Sequence, residues 1–384
     1  MTTTVNNEQK KLNVPNLRFK EFQGEWEMCK FKDVCSTSTG NKNTQDKIDD
    51  GIYPFYVRSQ TVERINSWTF DGEAILTAGD GVGVGKVFHH TYGKIGVHQR
   101  VYILSNFKCD ANYLFHFFSS HFYNRVKRMS AKNSVDSVRK EMITEMPLYL
   151  PSKQEQTKIG VLLSLLDERI STQNKIIEDL KKLKSAIIDY VINSHNTDFA
   201  KFGSLYEMAG EGGTPTTSNA SFYDNGRIPF IKIDDLKKKY LTENKDFITE
   251  LGLQKSSAWL IPTHSILFSN GATIGEITIT TYPVCTKQGI LGIVPKQNID
   301  VEFLYYFMSS SYFKKAVSRI VTEGTMKTAY LKDINNILCP IPTKEKQQEI
   351  AKIPSALNSK IDFEQSILKL FGSQKQYLLR QMFM

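Results

Sequence analysis

Two long stretches of the chain place apolar residues three and four positions apart, with polar residues between them. In the first stretch, between residues 162 and 190, the positions spaced four and three residues apart are occupied in turn by Leu, Leu, Arg, Gln, Ile, Leu, Leu, Ile and Tyr. A second stretch gives a similar series between residues 353 and 378, and it is polar at the same two central places. This pattern is typical of a coiled-coil seam, meaning the stripe of side chains that packs against a partner helix. We therefore predict two long helices.

The predicted seam specifies which side chains pack between the two helices. They are Leu162, Leu166, Ile176, Leu180, Leu183 and Ile187 in the first helix, and Ile353, Leu357, Ile367, Phe371 and Leu378 in the second. A helix of about 38 residues is about 57 Å long, and pairing two such helices buries both apolar stripes. Because a whole globular unit separates them, they can run antiparallel. The alternative is two independent helices, each packed on the core of its own domain. Such helices would need only a shorter apolar stripe.

Signals at the helix starts add two expectations. Ser152 followed by Glu155 is a capping box at the start of the first helix. Pro354 is expected to kink or break the second helix near its start.

The chain repeats itself. PSKQEQTKIGVLLSLLDERI, from Pro151, aligns without a gap with PTKEKQQEIAKIPSALNSKI, from Pro342. Upstream, three further pairs match: YLFHFFSS (113–120) with FLYYFMSS (303–310), GDGVGVGK (79–86) with SNGATIGE (269–276), and YPF (53–55) with IPF (228–230). A globular unit followed by a helix therefore occurs twice.

Each globular unit combines short β-rich stretches, a Gly-rich turn and a few helices, which indicates an α+β fold. The expected organisation is an N-terminal segment with the first globular unit in 1–150, the first helix in 151–195, the second globular unit in 196–341, and the second helix in 342–384.

The net charge of +9 favours a polyanionic partner, and the placement of this charge points to DNA. The stretch 121–140 and its counterpart 311–332 are both basic, so two equivalent DNA-binding faces are expected. A solvated helix face is the alternative for either stretch alone. The candidate DNA contacts are Lys86, Gln99, Arg100, Arg125, Lys127, Arg128, Lys132, Arg139, Lys287, Gln288, Lys314, Lys315, Arg319 and Lys327. The run 237–239 (Lys-Lys-Lys) has no counterpart and is interpreted as solvated.

Motifs for catalysis or metal binding are not evident. GDGVGVGK fails as a phosphate-binding loop, because Asp80 stands in place of the first Gly and Val87 in place of Ser or Thr. We interpret it as a tight turn that brings the backbone close to a neighbouring group such as DNA. The five cysteines have no metal or redox spacing and are expected to be small buried side chains. With no signal peptide and no membrane-spanning run, a reducing cytoplasm is the expected location.

The opening VPNLRFKEFQGEWEMCKFKDV, with Pro15, the triplet 17–19 (Leu-Arg-Phe), Phe22, Gly24 and Trp26, resembles the N-terminus of type I restriction specificity subunits. PSKQEQTKI and PTKEKQQEI resemble that family's entry into its spacer helices. The resemblance implies two target-recognition domains separated by a pair of long antiparallel helices. It also implies double-stranded DNA, two methyltransferase (modification) subunits and two ATP-driven restriction subunits as partners. S-adenosylmethionine, ATP and Mg are then expected on those partners, and no cofactor, metal or catalysis on this chain.

Other classes of function remain open. One is a stand-alone regulator that binds a bipartite DNA site, which partner dependence would distinguish. Another is a coiled-coil scaffold that binds only proteins, which a steep salt dependence of binding would exclude. The third is an unrecognised hydrolase, which the missing motifs disfavour.

Overall fold

The computed structural model describes residues 13–130, 137–193, 198–271, 273–321 and 327–384. The chain divides into two compact units. The first comprises residues 1–174 and 367–384, and the second comprises residues 175–366. Each long helix therefore contributes one part to each unit.

The first unit is an α+β structure in which one helix covers a mixed sheet. Its elements in chain order are β1 (Glu27–Lys30), α1 (Phe31–Val34), β2 (Ser36–Thr39), β3 (Tyr53–Tyr56), β4 (Val62–Ile65), β5 (Phe70–Ala78), β6 (Phe88–Val97), β7 (Val101–Ser105), α2 (Ala111–Met129), α3 (Lys140–Thr144), β8 (Pro147–Leu150) and α4 (Lys153–Asn193). The main sheet has the order β2-β7-β5-β6-β3-β4, and β1 pairs separately with β8. Strand β3, which contains YPF, lies parallel to β6, with Phe55 opposite Gly96.

The second unit repeats this plan with a more divided sheet. Its elements are β9 (Phe199–Lys201), β10 (Tyr206–Glu211), β11 (Ile228–Ile231), β12 (Tyr240–Leu241), β13 (Asp246–Ile248), α5 (Glu250–Gln254), β14 (Ile266–Ser269), β15 (Ile277–Thr280), β16 (Cys285–Thr286), β17 (Ile290–Pro295), α6 (Val301–Ser309), α7 (Ser311–Ile320), α8 (Leu331–Ile334), β18 (Leu338–Pro340) and α9 (Lys344–Met382). The sheets have the orders β10-β17-β14-β15-β12, β13-β11-β16 and β18-β9. Strand β11, which contains IPF, lies parallel to β16, with Phe230 opposite Cys285. The two short motifs thus occupy equivalent strands, and the predicted repeat and α+β fold are confirmed.

Parts of α4 and α9 pack together inside each unit. In the first unit, Asp167 and Lys375 form an ion pair. In the second unit, Lys184 Nζ donates a hydrogen bond to Asn358 Oδ1 at 2.9 Å. Further along α4, Ile188 joins the core that contains Ala351. Residue numbers therefore rise along α4 as they fall along α9, so the pairing in this unit is antiparallel, as predicted.

The predicted phase of the seam is partly wrong. Leu166 is buried, but Ile176, Leu183 and Ile353 are 39%, 48% and 55% exposed. From Ile159 onward, the buried side chains on α4 are Ile159, Leu163, Leu166, Gln173, Ile177, Ile188 and Ile192. Half-buried positions from the prediction are Leu162, Leu180, Ile187, Leu357, Ile367, Phe371 and Leu378. The packed stripe thus lies about one residue away from the predicted one over much of α4.

The predicted break at Pro354 is wrong, because α9 continues through it. Pro354 is buried on the packed side of the helix, near the buried Ile350. A proline inside a helix loses one backbone hydrogen bond, whereas burial of its apolar ring is favourable.

The first helix is anchored by the N-terminal motif rather than by a full capping box. Ser152 Oγ accepts a hydrogen bond from the Glu155 backbone N–H at 3.3 Å, as a cap should. The Glu155 carboxylate instead accepts two hydrogen bonds from the Arg18 guanidinium, each 2.8 Å long. Arg18 also donates to the Gly24 carbonyl at 2.6 Å. The triplet 17–19 therefore ties the N-terminal segment to the start of α4.

Candidate nucleic-acid interface

The Gly-rich turn of the first unit joins β5 to β6 and packs against its own protein. Gly81 and Gly85 have φ of 74° and 65°, in the left-handed region that glycine tolerates. A Cβ at Gly83 would lie 2.4 Å from the Arg58 carbonyl oxygen. Between them Val82 is 98% exposed at the tip of the turn. The glycines therefore allow close approach to the segment that carries Arg58.

The turn between β6 and β7 lies directly beside it. The Gly79 N–H donates to the Arg100 carbonyl at 2.7 Å, which joins the two turns. Gln99 Nε2 donates to Asn43 Oδ1 at 2.7 Å. The Arg100 side chain is 66% exposed. Two predicted contacts, Gln99 and Arg100, are thus brought next to the Gly-rich turn.

Asp80 connects this pair of turns to an arginine that sequence analysis missed. Arg58 Nη1 donates to Asp80 Oδ1 at 2.9 Å, and the other carboxylate oxygen lies 3.7 Å from Arg100 Nε. Arg58 lies outside both basic stretches and is 22 residues from Asp80 in sequence, so charge clustering could not identify it. Two exposed guanidinium groups therefore share one carboxylate.

Asp80 and Arg100 border an open cleft of about 390 Å³. Its lining residues are Thr39, Gly79, Asp80, Gln99, Arg100, Tyr102, Ser137 and Val138. The Val138 N–H donates to the Gly79 carbonyl at 2.7 Å, and Tyr102 Oη donates to the Val138 carbonyl at 3.0 Å. The walls of the cleft are thus held by hydrogen bonds to backbone groups, while the Arg100 side chain faces solvent.

The basic end of α2 is divided between structure and surface. Arg125 donates to the carbonyls of Met142 at 2.7 Å and Glu145 at 2.9 Å, and burial lowers its pKa. This side chain therefore holds α3 in place. Lys127 and Arg128 are exposed.

The remaining candidates of the first unit lie at three different places. Lys86 Nζ lies 5.3 Å from the centre of the Tyr123 ring on α2. Arg139 is exposed at the start of α3. Lys132 falls outside the described residues.

The second unit presents an equivalent pair of turns. Lys287 and Gln288 are exposed between β16 and β17. The Asn270 N–H donates to the Gly289 carbonyl at 3.0 Å, which joins this turn to the residues that directly follow β14. The Ala329 N–H donates to the Asn270 carbonyl at 2.9 Å, as Val138 does to Gly79 in the first unit. The other predicted basic side chains are exposed on or after α7: Lys314, Lys315, Arg319 and Lys327.

The run 237–239 is not simply solvated, which corrects the interpretation from sequence. Lys237 and Lys238 are exposed, but the Lys239 side chain is only 3% exposed. Lys239 Nζ donates to Glu302 Oε2 at 2.7 Å and to Ser355 Oγ at 3.0 Å. Its role is to join α6 to α9 within the second unit.

Cysteines and other titratable groups give no sign of a reactive site among the described residues. Four of the five cysteines are buried, as expected, while Cys29 is half-buried. Burial raises the pKa of Cys35 to about 12 and that of Cys29 to about 11. Within the described ranges, no three His, Cys, Asp or Glu side chains are grouped to hold a metal ion. Likewise, no described helix combines the length and apolar character needed to cross a bilayer.

Two α+β repeats, each with paired turns that expose basic and amide side chains, define a protein with two units for binding DNA. A family model for the type I restriction modification DNA specificity domain matches the chain twice, at residues 23–182 and 196–370. The chain belongs to this family, and its role is in DNA sequence specificity.

Individual relatives match along most of the chain. The type I restriction enzyme EcoDI specificity subunit of Escherichia coli is 23% identical, covering 85% of this chain and 80% of the relative. The MjaVIII specificity subunit of Methanocaldococcus jannaschii is 24% identical, covering 90% of each chain. The fold is similar to that of the S subunit of a type I restriction-modification system from M. genitalium. The TM-score is 0.65 at 17% identity, covering 97% of this chain and 99% of that one.

Proposed function

We propose that this chain recognises a split DNA target, one half-site per unit, and directs methylation or cleavage that partner subunits carry out. The observation that carries the proposal is the duplicated pair of turns. In each unit a Gly-containing turn is hydrogen-bonded to a neighbouring turn that exposes Gln99 and Arg100, or Lys287 and Gln288. Side chains of these types bind base edges and phosphates.

The proposal assigns the chemistry to the partners. Those are two methyltransferase subunits, which bind S-adenosylmethionine, and two restriction subunits, which use ATP and Mg. The chain itself is proposed to be non-catalytic, to bind no cofactor and to act in the cytoplasm. The specificity-subunit relatives support this assignment.

Single-molecule sequencing of methylated bases in the host genome tests the proposal. We expect one split motif to be methylated in the wild type and to lose methylation when this gene is deleted. Complementation with the intact gene is the control. A methylation pattern that the deletion leaves unchanged contradicts the proposal.

A domain replacement tests the division of labour. Exchanging residues 24–150 for the equivalent unit of a relative should change one half of the motif and leave the other half intact. A change in both halves contradicts independent recognition by the two units.

A further inference from the structure

We propose that Arg100, oriented by Asp80 and supported by Arg58, binds a guanine in the half-site of the first unit. The inference rests on the proposed function, and it assigns a specificity-determining residue and a base. Arg100 touches the base, whereas Asp80 and Arg58 are positioning residues.

The three side chains are placed as an oriented arginine requires. One oxygen of the Asp80 carboxylate accepts from Arg58 Nη1 at 2.9 Å, and the other lies 3.7 Å from Arg100 Nε. Arg58 therefore orients the carboxylate by a hydrogen bond, and the negative charge of the carboxylate lies at ion-pair distance from the Nε edge of Arg100. The terminal nitrogens of Arg100 make no hydrogen bond with any other described residue, and 66% of the side chain is exposed.

The backbone beneath this cluster is rigid. Gly79 donates to the Arg100 carbonyl at 2.7 Å, and the Arg100 N–H donates to His98 Nδ1 at 3.0 Å. Gly83 leaves no room for a side chain beside the Arg58 carbonyl. The Arg100 backbone is thus fixed to the Gly-rich turn before DNA binds, so only its side-chain torsions remain to be ordered on binding.

Charge argues for a base edge over a phosphate. A carboxylate beside an arginine weakens its attraction to a phosphate, because like charges repel. A guanine edge is neutral and presents two acceptors, O6 and N7, which match the paired nitrogens of an arginine. Asp80 therefore disfavours contact between Arg100 and a phosphate, and it favours contact between Arg100 and a base edge.

Arg100→Lys keeps the charge but removes the paired donors, so it separates the two kinds of contact. The matched control is Arg64→Lys, the same change at an exposed residue of β4 outside the cleft. Each variant is produced in its host with its partners, and the methylated motif is sequenced. We expect Arg100→Lys to relax the motif at one G·C pair of one half-site, and Asp80→Asn to relax the same pair to a smaller degree. Arg64→Lys should leave the motif unchanged.

A second measurement uses the wild-type complex, so it does not depend on a variant that folds. Duplexes carry 7-deazaguanine, which lacks N7, at one guanine of the half-site at a time. At one of these positions, 7-deazaguanine should weaken binding about 10-fold or more. This penalty should disappear in the Arg100→Lys variant.

Three results overturn the inference. They are a first half-site without a G·C pair, an Arg100→Lys motif identical to wild type, and a 7-deazaguanine penalty equal in both proteins. Each differs from failure of the proposed function, in which no split motif depends on this gene.

Discussion

The side-chain carbonyl of Gln156 accepts a hydrogen bond from the backbone N–H of Asp110 at 2.9 Å. Gln347 makes the same bond to Asp300 in the second unit, at 2.8 Å. Asp110 and Asp300 are the N-caps of α2 and α6, so each glutamine joins the start of a domain helix to the start of a long helix. This bond explains why glutamine stands at the same place in both repeats.

Removing either glutamine should destabilise only its own unit. Each amide also donates to a backbone carbonyl, of Pro151 or Pro342, so Gln156→Ala leaves two backbone groups unpaired. We expect a loss of about 1–3 kcal/mol. Hydrogen exchange should rise at the start of α2 in Gln156→Ala and at the start of α6 in Gln347→Ala. Gln154→Ala, at an exposed position of the same turn, is the control. Equal effects on both helices would contradict this assignment.

The Arg18–Glu155 pair should be among the more costly polar interactions to break. The Glu155 side chain is fully buried and Arg18 is 16% exposed. Glu155→Gln keeps the shape but leaves a cation without its partner, so we expect about 3 kcal/mol lower stability of the first unit in urea unfolding. Glu168→Gln, exposed on the same helix, should change little. A loss below about 0.5 kcal/mol for Glu155→Gln would mean that the N-terminal segment is not anchored there.

Two glycines in the long helices should respond to alanine in opposite directions. A Cβ at Gly160 would lie 2.9 Å from the Tyr113 backbone nitrogen, whereas a Cβ at Gly372 would meet nothing within 4 Å. Gly160→Ala should therefore cost about 1–3 kcal/mol through overpacking. Gly372→Ala should add about 0.5–1 kcal/mol, because alanine favours a helix. Thermal unfolding of the two variants provides the comparison, and stabilisation by Gly160→Ala would contradict the close packing of α4 on α2.

Acid should destabilise the first unit through His116. The side chain is 1% exposed, and its burial lowers the pKa from 6.5 to about 4. The unfolded state therefore binds an extra proton between about pH 6.5 and pH 4. Stability is lost as pH falls through this window, by about 3 kcal/mol in total. His116→Tyr should reduce this slope by up to one proton, since Tyr306 at the equivalent position bonds Ser355 as His116 bonds Ser164.

The control for acid sensitivity is His264→Asn, at an exposed position with φ of 59° that asparagine tolerates. Its unfolding should keep the wild-type pH dependence. Burial also lowers the pKa of His89, His98 and His121, so part of the slope should remain in His116→Tyr. A His116→Tyr slope equal to that of wild type would assign the acid sensitivity to those other histidines.

The repeat, the helices and the fold class follow from the sequence because duplication preserves a pattern over many residues. The phase of the seam, meaning which apolar positions of α4 are buried, does not follow from the sequence. Ile176 and Ile177, and likewise Ile187 and Ile188, place apolar side chains on two adjacent stripes. In the first unit α4 also packs against α2, as at Gly160, so its buried arc is wider than a two-helix seam. Spacing alone cannot choose between stripes on so wide an arc.

For the candidate site, the sequence predicts only that basic side chains are present. Arg100 and Lys287 are among the candidates that charge and repeat position indicate, whereas Arg58 and the buried Lys239 acquire their roles from residues distant in sequence. Arg125 lies in a basic stretch but donates to two backbone carbonyls. Charge density therefore finds a surface without distinguishing the side chains that stabilise it from those that are free to face solvent.

The length of the long helices is expected to set the spacing of the half-sites, whose centres should lie about 34–36 Å apart on one face of the duplex. In the second unit Lys184 contacts Asn358, so residues 176–182 lie opposite residues 360–366 in the antiparallel pair. Deleting both segments removes one heptad from each helix, about 10 Å, and keeps the remaining contacts in register. We expect the methylated motif to keep both half-sites and to have a shorter gap between them. The sequences of the half-sites stay the same because the gap consists of bases that neither unit reads. Deleting 176–182 alone is the control, since it shifts the register and should abolish methylation. If the double deletion assembles and methylates with the original gap, the helices do not determine the spacing and act in subunit assembly alone.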